Sequence, residues 1–231
     1  GLELGLSVPI AWGLSLQGAV SLGDYIYTSN PEFTQMIDNS ATDVVHSRVN
    51  WKGMKVESTH QTAINVGLNF RGPNNWFASV DFNYYDRLYL SMNPMYRTEY
   101  LANEIKRIYD WNNLETGRQK AYVVGIIDEI RQQEDLGNAY TLSASIGKNF
   151  RIKYKYTLGF SLQVNNILNN QRIRTGGYEQ MRLNKLSDPI IFPNADGEMV
   201  ITKKPTTYSR FDSKYFYMNG INYYLNIYFR F

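Results

Sequence analysis

Cysteine is absent from the 231 residues, which removes disulfides, thiol nucleophiles and thiolate-held metal, and suits a chain that crosses an oxidising periplasm. Histidine is almost absent: His46 and His60 are the only two. No Gly-x-Ser-x-Gly or His-Glu-x-x-His pattern accompanies them, so a hydrolase built on them is not expected and the chain is read as not an enzyme. No run approaches the roughly 18 apolar residues that a membrane-spanning helix needs, and the mean hydropathy is -0.41. A helical membrane protein is therefore excluded. The net charge of +3 is small and its basic residues are scattered, which argues against a nucleic-acid surface. Asp128, Glu129, Glu134 and Asp135 cluster, but without the alternating oxygen ligands and glycine of a calcium loop. They read as a solvated helix face, and neither metal nor cofactor is expected. The chain also opens without a methionine or a basic-then-apolar leader, so it is read as a fragment or cleavage product.

What is abundant is aromatic side chains with a polar tip: 19 Tyr beside 11 Phe and 4 Trp. Apolar residues also recur with a period of two. Leu2, Leu4, Leu6 and Val8 alternate with Glu3, Gly5 and Ser7; after a turn at 9–11, Trp12, Leu14, Leu16, Gly18, Val20 and Leu22 continue the pattern. The same alternation returns at 62–70, 76–85, 140–147, 154–165 and 214–231, and a period of two means a strand with one apolar face. About seven antiparallel strands are predicted, joined as hairpins.

A soluble β-sandwich alternates in the same way. Three features favour a membrane barrel instead. Several runs exceed ten residues, whereas soluble strands usually stop near five or six and a tilted membrane strand needs about nine to eleven. The polar face is built from Gly, Ser, Thr, Asn and Gln more than from Lys and Glu, which suits a crowded, hydrated lumen. Connections alternate between a few residues and long excursions near 28–57, 91–137 and 168–212, the pattern of short periplasmic turns and long extracellular loops. With that topology Trp12, Trp76 and Tyr154 are the first outward residues after short turns, and Phe70 and Phe231 the last before the inner rim. These five are the expected membrane girdle. Seven strands cannot make a whole single-chain barrel, which uses an even number, so upstream strands are expected.

The ending Tyr223 to Phe231 resembles the C-terminal signal of outer-membrane barrels. Val164-Asn165-Asn166-Ile167-Leu168-Asn169 resembles a Val-x-Asn-Leu-Phe-Asn motif near the end of TonB-dependent receptors, with Ile167 and Leu168 departing from it. Gly67 to Gly72, the aromatic strand Trp76 to Tyr85, and Asn93 to Thr98 resemble the SusC/RagA-like branch. The resemblance implies an all-β fold, with residues 1–231 the C-terminal part of a transmembrane antiparallel barrel of about 22 strands, its plug and earlier strands upstream. It further implies a bacterial outer-membrane location, import of oligosaccharides or peptides, energy delivered by TonB through the missing upstream region, and a SusD-like surface lipoprotein partner. A passive porin or a structural or adhesin barrel would share the same final strands and stays open as the alternative.

Residues placed to meet a ligand are Tyr85 and Tyr89 on the lumen side and Tyr96, Arg97, Tyr100, Trp111, Arg174 and Tyr178 on the loops, with Arg172 and Tyr208 nearby. Rings stack on sugar faces or peptide side chains, and guanidinium groups supply directed donors. Each of these residues serves equally well as girdle, loop core or lumen filling. Val123, Ile126, Ile127 and Ile130 stand at helical spacing within 119–136, which predicts a helix packed within the second loop. Ile190 to Phe192 and Met199 to Ile201 flank Asp196-Gly197 as a small external hairpin. Gly176-Gly177 reads as a flexible loop bend.

Overall fold

The computed structural model describes residues 1–36, 44–153, 155–181, 183–186, 190–193, 196–203 and 207–231. Seven strands form one antiparallel sheet: β1 (Leu2–Pro9), β2 (Leu14–Leu22), β3 (Thr62–Arg71), β4 (Trp76–Asp86), β5 (Ala139–Ile152), β6 (Tyr156–Asn165) and β7 (Asn222–Arg230). Each pairs with its neighbour in the sequence, so the sheet is a meander with β1 and β7 as its open edges. Among the described residues no helix is long and apolar enough to cross a membrane.

The register brings the apolar positions of all seven strands to one face. One cross-sheet row runs Val8, Leu16, Leu68, Val80, Ala144, Val164, Tyr223. A slip of one residue at any pairing would turn a strand's whole apolar set over, so the continuity of this face fixes the register. No described element covers it: Leu6 is 64%, Val80 47% and Ile227 65% exposed. A soluble sandwich would lay a second sheet there.

The opposite face is polar and hydrogen-bonded across strands. The Asn65 amide donates to Asn83 at 2.8 Å, Ser79 and Ser145 lie 2.9 Å apart, the Asn165 amide donates to Asn222 at 3.0 Å, and the Tyr228 hydroxyl donates to Asn149 at 2.8 Å. Aromatic rings on this side lie flat over glycines on the neighbouring strand. Phe77 faces Gly147, and a Cβ there would come within 2.3 Å of its ring; Tyr228 faces Gly159 in the same way, at 2.4 Å.

Three connections at one end of the sheet are short. The β1–β2 turn places Trp12 and Gly13 at positive φ, as a two-residue hairpin requires. A Cβ on Gly13 would stand 2.0 Å from the Arg71 carbonyl oxygen, so only glycine fits. The other three connections, 23–61, 87–138 and 166–221, leave the opposite end and carry all the remaining elements. The first contains a hairpin of Glu32–Met36 with Val44–Arg48. The second holds α1 (Glu99–Ile108) and α2 (Gly117–Arg131). The third contains Arg174–Tyr178 paired with Lys214–Tyr217, Leu183–Leu186 paired with Thr207–Arg210, and the expected hairpin of Ile190–Pro193 with Met199–Lys203.

The one sizeable buried apolar cluster among the described residues lies in this loop layer, not on the sheet. Tyr96, Leu101, Ala102, Ile105, Tyr109, Val123, Ile127 and Ile130 pack together. Both helices start on threonine caps: Thr98 accepts from the Leu101 amide, and Thr116 with Gln119 forms a capping box.

Three sequence expectations need correction. The helix predicted to reach residue 136 ends at Arg131, because the following segment turns extended to pair with 88–90: the Leu90 amide donates to the Glu134 carbonyl and the Leu136 amide to the Leu88 carbonyl. Glu134 and Asp135 therefore stand beyond the helix and are not part of a solvated helix face. The final run of alternation is two strands, because the chain bends between Tyr217 and Asn222. Gly176 and Gly177 are no bend; they lie in an extended strand where Gly177 passes so close to the Lys214 carbonyl that a Cβ would stand 2.1 Å away.

Candidate functional site: a braced loop layer and two aromatic rims

The three long connections are held together by polar contacts between residues far apart in sequence. Glu179 is buried, and its carboxylate accepts from both terminal nitrogens of Arg97, from Arg210 at 2.7 Å and from the Asn93 amide at 2.8 Å. Arg97, also fully buried, donates further to the Gln132 carbonyl at 2.9 Å. Its own backbone carbonyl accepts from Asn50 in the first connection. One residue thus joins three loops, its guanidinium reaching the second and third and its backbone carbonyl the first, and a paired, multiply hydrogen-bonded geometry is what allows such charges to be buried. Arg210 stacks over Tyr96 at 5.4 Å, and the Tyr96 hydroxyl donates to the Gln180 carbonyl.

Tyr96 and Arg97 are accordingly interior residues of the loop layer. Trp111 packs on the helical cluster with Lys106 and Lys120 over its ring at 5.2 and 5.8 Å. Tyr100 opens α1 with its ring exposed, and its amide donates to Ser47. Tyr178 is exposed beside Phe216. Tyr89 is half-buried and bridges to Asp135. Tyr85 lies on the polar face of β4, stacked against His60 at 4.7 Å, and lines a trough of about 480 Å³ with Glu3, Asn65 and Asn83. Burial holds the His60 imidazole below its usual pKa. His46 sits elsewhere, on the first loop's hairpin beside Thr34.

Of the expected ligand residues, Arg174 borders a polar cleft in the loop layer. Its guanidinium lies over the Tyr215 ring at 4.7 Å and donates to Glu134 at 2.9 Å, while the Tyr215 hydroxyl donates to the same carboxylate at 2.7 Å. A cleft of about 520 Å³ opens there, lined by Glu134, Asp135, Arg210, Asp212 and Tyr215. The sequence reading missed Glu134, Arg210 and Tyr215, whose partners lie 31 to 81 residues away. The Tyr215 hydroxyl is pushed up, first by burial and then by Glu134.

The asparagines of the Val164–Asn169 motif hold the end of the penultimate strand to the start of the last. Asn166, buried and at φ 50°, donates to the Asn170 and Asn219 carbonyls and accepts from the Asn170 amide. Asn169 accepts from the Ile221 amide. These contacts make the bend that splits the final run.

At the short-turn end of the apolar face, Phe70 and Trp76 lie where the girdle was expected, while Trp12 and Phe231 project at 90% and 91% exposure. Tyr154 lies outside the described residues. Phe150, Tyr156, Phe160 and Phe229 complete the band: Trp76 meets Phe160 edge-on at 6.1 Å and Tyr156 stacks on Phe229 at 5.8 Å. Toward the loop end, Tyr84, Tyr140 and Tyr223 share that face. Trp76 and Tyr84 are eight residues apart, about 27 Å along a strand. No family model matches the chain, and no curated protein or solved structure is significantly similar to it.

Proposed function

We propose that this chain is part of the wall of a bacterial outer-membrane β-barrel, and that the barrel imports nutrients, oligosaccharides or peptides, as a TonB-dependent transporter of the SusC-like kind with a SusD-like surface lipoprotein. The observation that carries the barrel reading is the continuous apolar face on all seven strands, uncovered and rimmed by aromatics at both ends, backed by a hydrogen-bonded polar face. Lipid on one side and a hydrated lumen on the other satisfy both faces at once. The span between the rims, reduced by the usual strand tilt, approaches the apolar band of about 25 Å typical of such barrels. The TonB-dependent reading rests on the Val164–Asn169 motif and the terminal strand, and the braced loops supply a surface on which a large solute can be held.

The test uses the native polypeptide that contains this segment. Heat-modifiable migration on gels after extraction from outer membranes reports the barrel. Uptake of labelled oligosaccharide or peptide pools, compared in cells with and without TonB, reports energised import. Loss of uptake without TonB is the expected result; an ion conductance that stays open without TonB would replace import by a passive pore.

A further inference from the structure

The charges of the sheet are segregated along its strands. The segments nearest the short turns, 7–15, 69–78, 146–158 and 228–231, contain Arg71, Lys148, Arg151, Lys153, Lys155 and Arg230 and not one Asp or Glu. The carboxylates lie toward the other end: within the strands only Glu3, Asp81 and Asp86 occur, and every other acid belongs to a long connection.

One of these cations lies on the apolar face itself. Lys148 pairs in register with Trp76 on one side and Phe160 on the other, and its ammonium sits 4.7 Å from the Trp76 ring centroid and 4.9 Å from that of Phe150. Apart from Asp86 at the far end, it is the only charged residue on that face within the strands. No ion pair among the described residues involves it. Lys155 stands 5.3 Å from the Tyr156 ring, and Lys153 is exposed at the turn of the same hairpin. An amphipathic lysine on an apolar wall places its stem among hydrocarbon and its head at the headgroup level; aromatic rings flanking it define that level.

We propose that the β5–β6 hairpin, through Lys148, Lys153 and Lys155 framed by Trp76, Phe150 and Tyr156, binds the phosphate headgroup of an anionic phospholipid at the short-turn rim. The site combines what such a lipid requires: an apolar wall for the acyl chains, cations without carboxylate partners at the rim, and rings that fix the depth. This rests on the reading of the apolar face as membrane-embedded.

The test is competitive lipid retention. The native polypeptide containing this segment is reconstituted in vesicles of equal parts phosphatidylglycerol and phosphatidylcholine, extracted in mild detergent, and weighed intact with its retained lipids. Enrichment of phosphatidylglycerol is expected. Lys148→Gln should lower the retained ratio about fivefold, which corresponds to about 1 kcal/mol per basic group at a membrane surface, while Lys52→Gln on the first long connection should leave it unchanged. Heat-modifiable migration of each variant verifies the barrel. Equal retention of the two lipids by a folded, inserted wild-type protein overturns this site and leaves the barrel reading standing. Failure to insert into these vesicles overturns both.

Discussion

Val80 lies in mid-β4 on the apolar face, between Leu68 on β3 and Ala144 on β5, and is 47% exposed. Replacing it with arginine asks what solvent that face meets. In water a charged side chain at a half-exposed strand position changes stability by about 0.5 kcal/mol or less. Near the midplane of a bilayer the same arginine costs about 2–4 kcal/mol, a shift on the order of 30- to 1000-fold in the folding equilibrium. Ala19→Arg is the matched control, exposed on the polar face of β2 opposite Gly5 and Asn65, and should cost about 0.5 kcal/mol or less. The assay is reversible urea folding of the native polypeptide into phospholipid vesicles, followed by tryptophan emission and gel shift. A cost below about 1 kcal/mol for Val80→Arg, or equal costs for the two variants, would refute the assignment of the apolar face to lipid.

Glu179→Gln removes the charge that holds Arg97 and Arg210, leaving Arg97 buried and unpaired; a loss of about 3–5 kcal/mol is expected, read as faster amide exchange in α2 and 93–98, and an Arg97→Met, Glu179→Leu pair should recover part of it. Exchange unchanged in Glu179→Gln would remove the ion pair as the loop brace. Gly147→Ala forces a methyl group against the Phe77 ring and the Phe160 carbonyl and should cost about 1–3 kcal/mol in urea unfolding, with Phe77→Ala added to it relieving part of the strain; a neutral single variant would contradict the close approach. Asn166→Ala strips hydrogen bonds from buried backbone groups and keeps a β-carbon at positive φ without the asparagine's local hydrogen bonding, whereas Asn166→Gly loses the same bonds but removes that β-carbon, so alanine should be worse than glycine by about 1 kcal/mol in the same unfolding assay. Equal stability of all three proteins would sink the assigned role.

The seven strands were legible because each leaves a local mark: apolar residues at alternate positions, ended by Pro9, by Gly72-Pro73-Asn74 or by a short polar turn. The helix at 117–131 was legible at its core positions Val123, Ile127 and Ile130 for the same reason. Its end was not, since Leu136 continues the apolar spacing and only pairing with 88–90, a partner nearly fifty residues earlier, pulls the chain into an extended form. The bend before β7 was hidden for a related reason. Alternation runs on through Asn219 and Ile221, and the break comes from the side chains of Asn166 and Asn169 just past the end of β6. The burial of Arg97 and Tyr96 was not legible, because an arginine beside a tyrosine in a loop carries no sign of it. The Arg97 partner Glu179 stands 82 residues away, and the Tyr96 partner Gln180 stands 84 away. The aromatic band at the short-turn end is wider than the five residues expected from the sequence, because Phe150 and Phe160 share the parity of Trp76 and Phe160 meets both other rings across the strands.

The placement of the buried core has a mechanical consequence. A solute-binding loop in water ordinarily opens at little cost, because few apolar contacts hold it. Here the second connection carries its own apolar cluster and the third is tied to it by Glu179 and by the pairing of Ser91 with Tyr178. The first is fixed to the second by Val49 against Thr98 and by Gln133 donating to the Lys55 carbonyl. Any motion that parted the three connections would have to carry these segments as a unit or break a buried ion pair. Separate fluttering of the three connections is disfavoured by the same contacts that order them.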